Sequence, residues 1–368
     1  MRALIGIVTA LLLAGPAAAQ TVVRIGLSAP LTGPDAAFGQ GMRLAAEQAI
    51  ADLNRAIGTS GRKLALVVAD DAGEAKQGAV VARRFAADGI RLVVGALESS
   101  VAAAVAPLYE DAGVVLVTPG ASWAALTQRG YGNLFRVVPG DAQQGAAAGR
   151  YLLVHEPGRR IGVVHDRTTF GRGLADAVSR TLKAGGDPEV AFESLPRGSR
   201  DATELVTTLK AARVEAVYFG GLAPEAATLL RAMRDAGLGA HLVASDGILD
   251  RDFASLAATA GEGTVMTVPV EPVRLPEAKG RPPRTTEADA VAGPTYAAVE
   301  VLAQALDRAK SQDSRRVAAA LRGVPFRTIQ GEVAFDAQGD LREGAVSLRA
   351  WKRTPDGRLD YAGNEVAP

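Results

Sequence analysis

Residues 91–120 read RLVVGALESSVAAAVAPLYEDAGVVLVTPG, and this stretch decides the fold class. Arg91-Leu92-Val93-Val94 and Val114-Val115-Leu116-Val117 are short apolar runs of strand length. The segment from Ser99 to Asp111 between them reads as a helix. Near-continuous Val and Leu strands alternating with helices predict a parallel sheet covered on both faces.

The same rhythm extends towards the N-terminus. Val22 to Leu27 and Leu64 to Val68 are strands. Phe38 to Ile57 is a helix, with Met42, Ala45, Ala46, Ala49, Leu53 and Ile57 on one face. A further helix is expected around Glu74 to Ala87. After Asp141 the rhythm restarts with a helix that closes at Tyr151–Val154. Strands follow at Ile161–Val164, near Val190, at Ala216–Phe219, His241–Ala244 and Thr264–Val268. Helices near 173–184, 201–212 and 224–236 separate them. The stretch Pro269 to Pro283 reads as an exposed loop. Helices at about 289–310 and 315–321 precede short strands at Val333–Phe335 and Val346–Leu348. The expected class is α/β, with two doubly wound parallel-sheet lobes and a ligand cleft between them. Ligands gather outside the carboxyl ends of such strands, and two facing sheets can close by hinging.

At 368 residues the chain is long enough for two domains. Its 48% apolar and 22% charged content suits a folded chain, and a net charge of +1 predicts no nucleic-acid or anionic-membrane partner. Met1-Arg2, the apolar run Ala3–Gly15 and the small residues up to Ala19 form the pattern of a secretory signal, residues 1–19. The apolar run is shorter than the ~20 residues a spanning helix needs. There is no cysteine, hence no disulfide and no lipid-bearing cysteine, so the expected location is the periplasm.

Catalytic signatures are missing. The three histidines, His155, His165 and His241, form no metal motif, and no nucleophile elbow or P-loop occurs. Gly39-Gln40-Gly41 and Gly171-Arg172-Gly173 lack the third glycine of a dinucleotide fingerprint. Asp70-Asp71 is either a metal pair or, more simply, a strand-end acid and a turn cap. The pattern predicts a binding protein with no catalytic residues, no metal and no cofactor.

The loops after the strands carry the candidates. Ser99 opens a helix, where it either caps the helix or helps free amides hold a carboxylate. Gly120 permits close backbone approach and Ser122 offers a hydroxyl. Trp123 either walls a pocket or packs in the core. Asp246 is an ordinary turn residue or the partner of a ligand ammonium, and Phe170 is core or pocket wall.

A set of ordered motifs bears on these alternatives. They include Leu27 to Pro34, Phe38-Gly39, Asp70-Asp71-Ala72, Thr118-Pro119, Arg129-Gly130-Tyr131, Gln144-Gly145, Val164-His165-Asp166, Phe170-Gly171, Val217 to Gly221 and Ala236-Gly237-Leu238. Together they make the mature chain resemble the leucine/isoleucine/valine-binding protein family, periplasmic proteins of ABC importers. The resemblance implies two lobes, 20–140 plus 270–333 and 141–269 plus 334–368. It also implies capture of a small ligand, an aliphatic amino acid, by a monomer that delivers it to a membrane permease. A ligand-sensing receptor of the same fold, or a binder of a related carboxylate or amide, is the alternative.

Carried over residue by residue, the resemblance puts Phe38 over the ligand and Ser99 and Ser122 at its carboxylate. It puts Gly120 and Asp246 at its ammonium, and Phe170 on the second lobe. Leu222 stands where amino-acid-binding members carry tyrosine, and Trp123 is bulkier than the usual residue. Gly73 and Glu98 stand where some members form a disulfide.

The leader reading has a direct test. N-terminal sequencing of the exported protein should return Gln20 as its first residue, and recovery of an intact Met1 from mature material would refute it.

Overall fold

The computed structural model describes residues 22–56, 62–249, 251–271, 275 and 286–367. The signal reading and most of the Pro269–Pro283 loop lie outside them. The first half runs β1 (Val22–Ala29), α1 (Ala36–Arg55), β2 (Lys63–Asp70), α2 (Ala75–Ala87), β3 (Leu92–Val94), α3 (Ser99–Asp111), β4 (Val115–Thr118) and β5 (Leu134–Arg136). The second half runs α4 (Asp141–His155), β6 (Ile161–His165), α5 (Thr169–Ala184), β7 (Ala191–Ser194), α6 (Thr203–Ala211) and β8 (Ala216–Gly220). It continues with α7 (Ala223–Asp235), β9 (His241–Ala244), α8 (Arg251–Ala257) and β10 (Val265–Val268). Then come α9 (Thr286–Ala309), α10 (Ser314–Ala320), β11 (Phe326–Thr328), β12 (Gly331–Val333), β13 (Ser347–Ala350), β14 (Lys352–Arg353), β15 (Leu359–Asp360) and β16 (Glu365–Val366).

One sheet has the order β2-β1-β3-β4-β5, and every neighbouring pair is parallel. The other has the order β16-β13-β10-β9-β8-β6-β7. Its β6 to β10 core is parallel, and β13 and β16 add to one edge antiparallel. The strands are buried along almost their whole length because helices cover both faces. Ile25, Leu27, Val94, Val115 and Val117 pack with Met42 and Ala46 of α1 and with Val299 and Leu302 of α9. On the opposite face Val93, Leu116 and Phe85 pack with Val101 and Val105 of α3. The second sheet repeats this arrangement around Val217, Phe219 and Leu230 on one face and Val163, Leu174 and Tyr218 on the other. Helix α9 therefore belongs to the first core although it follows β10 in the chain.

Two features depart from the sequence reading. Strand β5 was not expected, because three residues ending in arginine give no apolar run. Arg136 is nonetheless only 1% exposed. Its guanidinium donates to the carbonyls of Ala121 (3.2 Å) and Trp123 (2.9 Å), to Thr127 Oγ1 (3.2 Å), and to the carboxylate of Asp340. The second concerns the return crossing. Phe335 and Asp340, placed by sequence in lobe two, pack on the first: Phe335 lies edge-on to Phe135 with ring centroids 5.2 Å apart, and Gly339 O accepts from Arg136 N at 2.9 Å. Asp70 and Asp71 end β2 as turn anchors. Asp70 accepts from the amides of Leu31 (2.8 Å) and Ala72 (2.9 Å), and Asp71 from Ser28 Oγ at 2.7 Å. Among the described residues no helix is long and apolar enough to cross a membrane.

Removing one partner of a buried pair strands the other charge. Asp340 is 27% exposed at its side chain, so the cost is moderated. Asp340→Asn should lower unfolding free energy by about 2–4 kcal/mol, measured by urea denaturation. A change below about 0.5 kcal/mol, the range of neutral surface substitutions, would show that Arg136 needs no counter-charge.

Candidate functional site

The carboxyl ends of the two sheets face each other across a cavity of about 170 Å³. A single water needs only about 10–15 Å³ on this scale, so the space suits a small organic molecule. The first lobe contributes Phe38 from α1, Leu97 to Ser100 at the start of α3, and Pro119, Gly120 and Ser122 after β4. The second contributes Gln144 from α4, Phe170 from α5, Leu222 before α7, and Asp246 and Leu249 after β9. Ala290, Val291 and Pro294 of α9 close one side.

Of the eight residues singled out by sequence, Phe38, Ser99, Gly120, Ser122, Phe170, Leu222 and Asp246 line this cavity. Trp123 does not. Its ring packs at the edge of the first core, with the Arg129 guanidinium 5.0 Å from its centroid. The backbone is at the expected place, but the side chain turns outward towards Gly173 of α5.

Local chemistry explains the loop shapes. Thr118 Oγ1 donates to Ala96 O at 2.8 Å and accepts from Ala121 N at 3.0 Å, which joins the β3 and β4 loops. A Cβ on Gly120 would meet Leu97 Cδ1 at 2.7 Å and Leu97 O at 2.9 Å, so only glycine allows this approach. Ser99 Oγ accepts from Trp123 N at 3.2 Å, which leaves its hydroxyl hydrogen to donate. No side chain caps α3 at Glu98, so its first-turn amides remain open to an anion. Ser122 Oγ is buried and has no partner among the described residues.

Asp246 faces this group. Ser245 shapes its turn by donating to Gly221 O at 3.0 Å and accepting from Gly247 N at 3.3 Å. Asp246 lines the cavity, and its Oδ1 is sealed from solvent without a partner among the described residues. Burial raises its pKa to about 6. Asp141, at the start of α4, is raised to about 7, chiefly by burial and further by the Asp246 charge. Arg136 offsets part of the rise at Asp141, and no cation contributes at Asp246 among the described residues.

Sequence reasoning missed several lining residues. Arg197 follows β7 and binds both carboxylate oxygens of Asp35, at the start of α1, at 2.8 Å each. This bridge spans the cleft between residues 162 positions apart. Beside Asp35, Glu98 is raised to about 8 by burial and by the charges of Asp71 and Asp35. Gln144 had a visible signal, since Gln144-Gly145 was among the family-like motifs. Arg197, Asp35 and Pro294 had none.

Residues 22–355 match the family model described as periplasmic binding protein. The chain belongs to the periplasmic binding protein family. This binding protein is 37% identical to Leu/Ile/Val-binding protein homolog 1 of Brucella melitensis, over 97% of each chain. Its fold matches that of the leucine-binding protein LivK of Thermotoga maritima with a TM-score of 0.80, at 24% identity over 94% of this chain and 99% of that one. An ABC transporter substrate-binding protein of Desulfitobacterium hafniense complexed with Leu matches with a TM-score of 0.71. Identity there is 28% over 92% and 99% of the two chains. The family binds solutes and is not one of enzymes.

The charge at Asp246 yields a ligand-free test. Its folded pKa of about 6 lies above the ordinary 3.8, so ionisation opposes folding. The cost is absent below about pH 4, grows with pH, and is complete above about pH 6. Asp246→Asn should therefore stabilise the empty binding protein at pH 8 by on the order of 2 kcal/mol, with no gain at pH 4. Equal stability at both pH values would mean that the carboxylate is already satisfied.

Proposed function

We propose that this binding protein captures a branched-chain aliphatic amino acid in the periplasm and, as a monomer, delivers it to the membrane permease of an ABC importer. The observation that carries the reading is Asp246, its Oδ1 unmatched among the described residues, facing the open amides and serines of the other lobe across a largely apolar cavity. A zwitterion satisfies both ends at once. Its carboxylate takes the α3 first-turn amides, Ser99 and Ser122. Its ammonium takes Asp246 and the Gly120 carbonyl. Charge-assisted bonds of this kind are worth about 1.5–3 kcal/mol each.

Phe38, Phe170, Leu222 and the α9 residues surround the remaining space with carbon. Leu222 offers no hydroxyl, which favours an aliphatic side chain over a polar one. The names of the relatives point the same way: the Brucella protein is a Leu/Ile/Val-binding homologue, and the Desulfitobacterium protein holds Leu. Two lobes gripping opposite ends of one molecule close on it by hinge motion, and the Asp35–Arg197 bridge lies where such closure brings the lobes together.

Calorimetric titration with leucine, isoleucine, valine and 4-methylpentanoate tests the reading. The amino acids should bind and the deaminated leucine should bind far more weakly. Asp246→Asn should cost leucine about 2–5 kcal/mol at pH 7.5, roughly 30-fold to several thousand-fold in affinity, and leave the deaminated analogue unchanged. Leucine affinity within about threefold of wild type would make Asp246 a turn residue and remove the main support for an amino-acid ligand.

A further inference from the structure

Gln144 stands apart from the other cavity residues because it carries a polar group that is bound at one end only. It is 1% exposed, on the inner face of α4, one turn beyond Asp141. Its Oε1 accepts from Thr267 Oγ1 of β10 at 2.5 Å, and Thr267 is itself fully buried. Its Nε2 has no acceptor among the described residues. Asp246 Oδ1, on the wall of the same cavity, has no donor. A buried amide nitrogen and a buried carboxylate oxygen, both unmatched, are each costly alone and complementary together. The opposite flip of the amide would turn Oε1 onto the carboxylate, oxygen against oxygen. A hydroxyl can serve either end of an amide, so the Asp246 charge decides the orientation.

We propose that Gln144, anchored by Thr267, is a positioning residue that aims its amide at Asp246 and holds that carboxylate ready for a ligand cation. The inference rests on the reading of Asp246 as the ammonium partner.

The groups around Asp246 make such a donor necessary. Asp141 faces it from the start of α4 and is a like charge. Tyr218 faces it from β8 with a hydroxyl buried and unpartnered, and its pKa is raised by burial and by both acids. Glu225, on α7, is turned away, accepting from Gly198 N at 2.7 Å. Arg136, the nearest strand cation, lies towards Asp141 and is committed to Asp340 and to loop carbonyls. Thr267 is the neutral side chain that β10 presents. The Gln144 amide is thus the side chain whose polarity lowers the Asp246 pKa, against the larger rise from burial.

The test is leucine affinity between pH 5 and pH 8 for wild type, Gln144→Leu and Thr267→Val, together with ligand-free stability over the same range. Wild-type affinity should fall about tenfold per unit below about pH 6, as Asp246 takes up a proton. Gln144→Leu should move that midpoint up by about one unit, the size of one lost hydrogen bond to a charged group, so that its affinity deficit narrows as the pH rises towards 8. Thr267→Val should move it the same way by less. A loss of affinity uniform across pH, or an unmoved midpoint, would overturn the proposal.

Should wild type bind no leucine, the ligand reading fails, and the stability curves still decide the role of Gln144. The destabilisation that grows from about pH 4 should become larger and continue to a higher pH in Gln144→Leu when Asp246 is present. It should be unaffected by Gln144→Leu when Asp246 is replaced by Asn. Identical responses in both backgrounds would overturn the positioning role without reference to any ligand.

Discussion

Parallel strand pairing is the constraint from which the site follows. In a parallel sheet every strand leaves at the same edge, and here that is true of β1 to β5 and of β6 to β10. Each return path must be a helix on one face or the other, so the carboxyl edge carries only turns. Those turns hold groups that a strand interior would exclude: Gly120, which lets two loops touch, Ser122, whose buried hydroxyl lies beside Asp141, and Asp246, which is a carboxylic acid. The antiparallel strands β13 and β16 lie at the far margin of the second sheet, away from β8 and β9, so they close its edge without disturbing the site.

The two acids near the cavity set the energetic balance. An empty site that keeps a carboxylate away from both water and cation is less stable than one built from carbon. Binding sites accept such costs because the unmatched group is what discriminates between ligands. Burial raises both carboxyls, and the Asp246 charge raises Asp141 further. Arg136 offsets part of the rise at Asp141, whereas Asp246 is met by a neutral donor. A lysine or arginine placed beside Asp246 would satisfy it permanently and leave nothing for an ammonium to gain. Gln144 and Thr267 suit the place because an amide and a hydroxyl polarise the carboxylate without neutralising it.

The elements legible in the sequence were those with a repeating physical signal. Helix α3 runs from Ser99 to Asp111 as the alternation implied, and β9 ends at Ala244, one residue before the turn that presents Asp246. The topology rule for parallel sheets then pointed to loops that line the cavity. Side-chain direction was less accessible. Trp123 lies in a site loop, but its ring is placed by the Arg129 guanidinium and by its contact with α5, and no local pattern reports either. Strand β5 was invisible because its third residue is an arginine whose burial depends on Asp340, 204 positions away. Pro294 and Val291 reach the cavity from a helix that the chain order assigns to neither strand edge. Such contacts depend on the completed tertiary structure.

The bridge between Asp35 and Arg197 illustrates how little of closure the protein itself supplies. The Arg197 side chain is 34% exposed and that of Asp35 14%, so the pair is screened by solvent and worth no more than about 1 kcal/mol. On the first lobe Asp35 sits with Asp71 and Glu98, three acids in one neighbourhood. The Glu98 carboxyl, raised to about 8, is largely protonated at neutral pH, which removes one of the three charges. On the second lobe Arg197 already has Glu225 and Asp166 nearby. The bridge therefore adds Asp35 to an arginine that already has acidic neighbours, rather than pairing two isolated charges. A bridge of this strength favours the closed arrangement weakly and sets the register of the two edges. A molecule bound at both ends between α3 and Asp246 would add several charge-assisted bonds, more than the bridge can contribute. A ligand of that kind would therefore tie the two edges together more firmly than the bridge does.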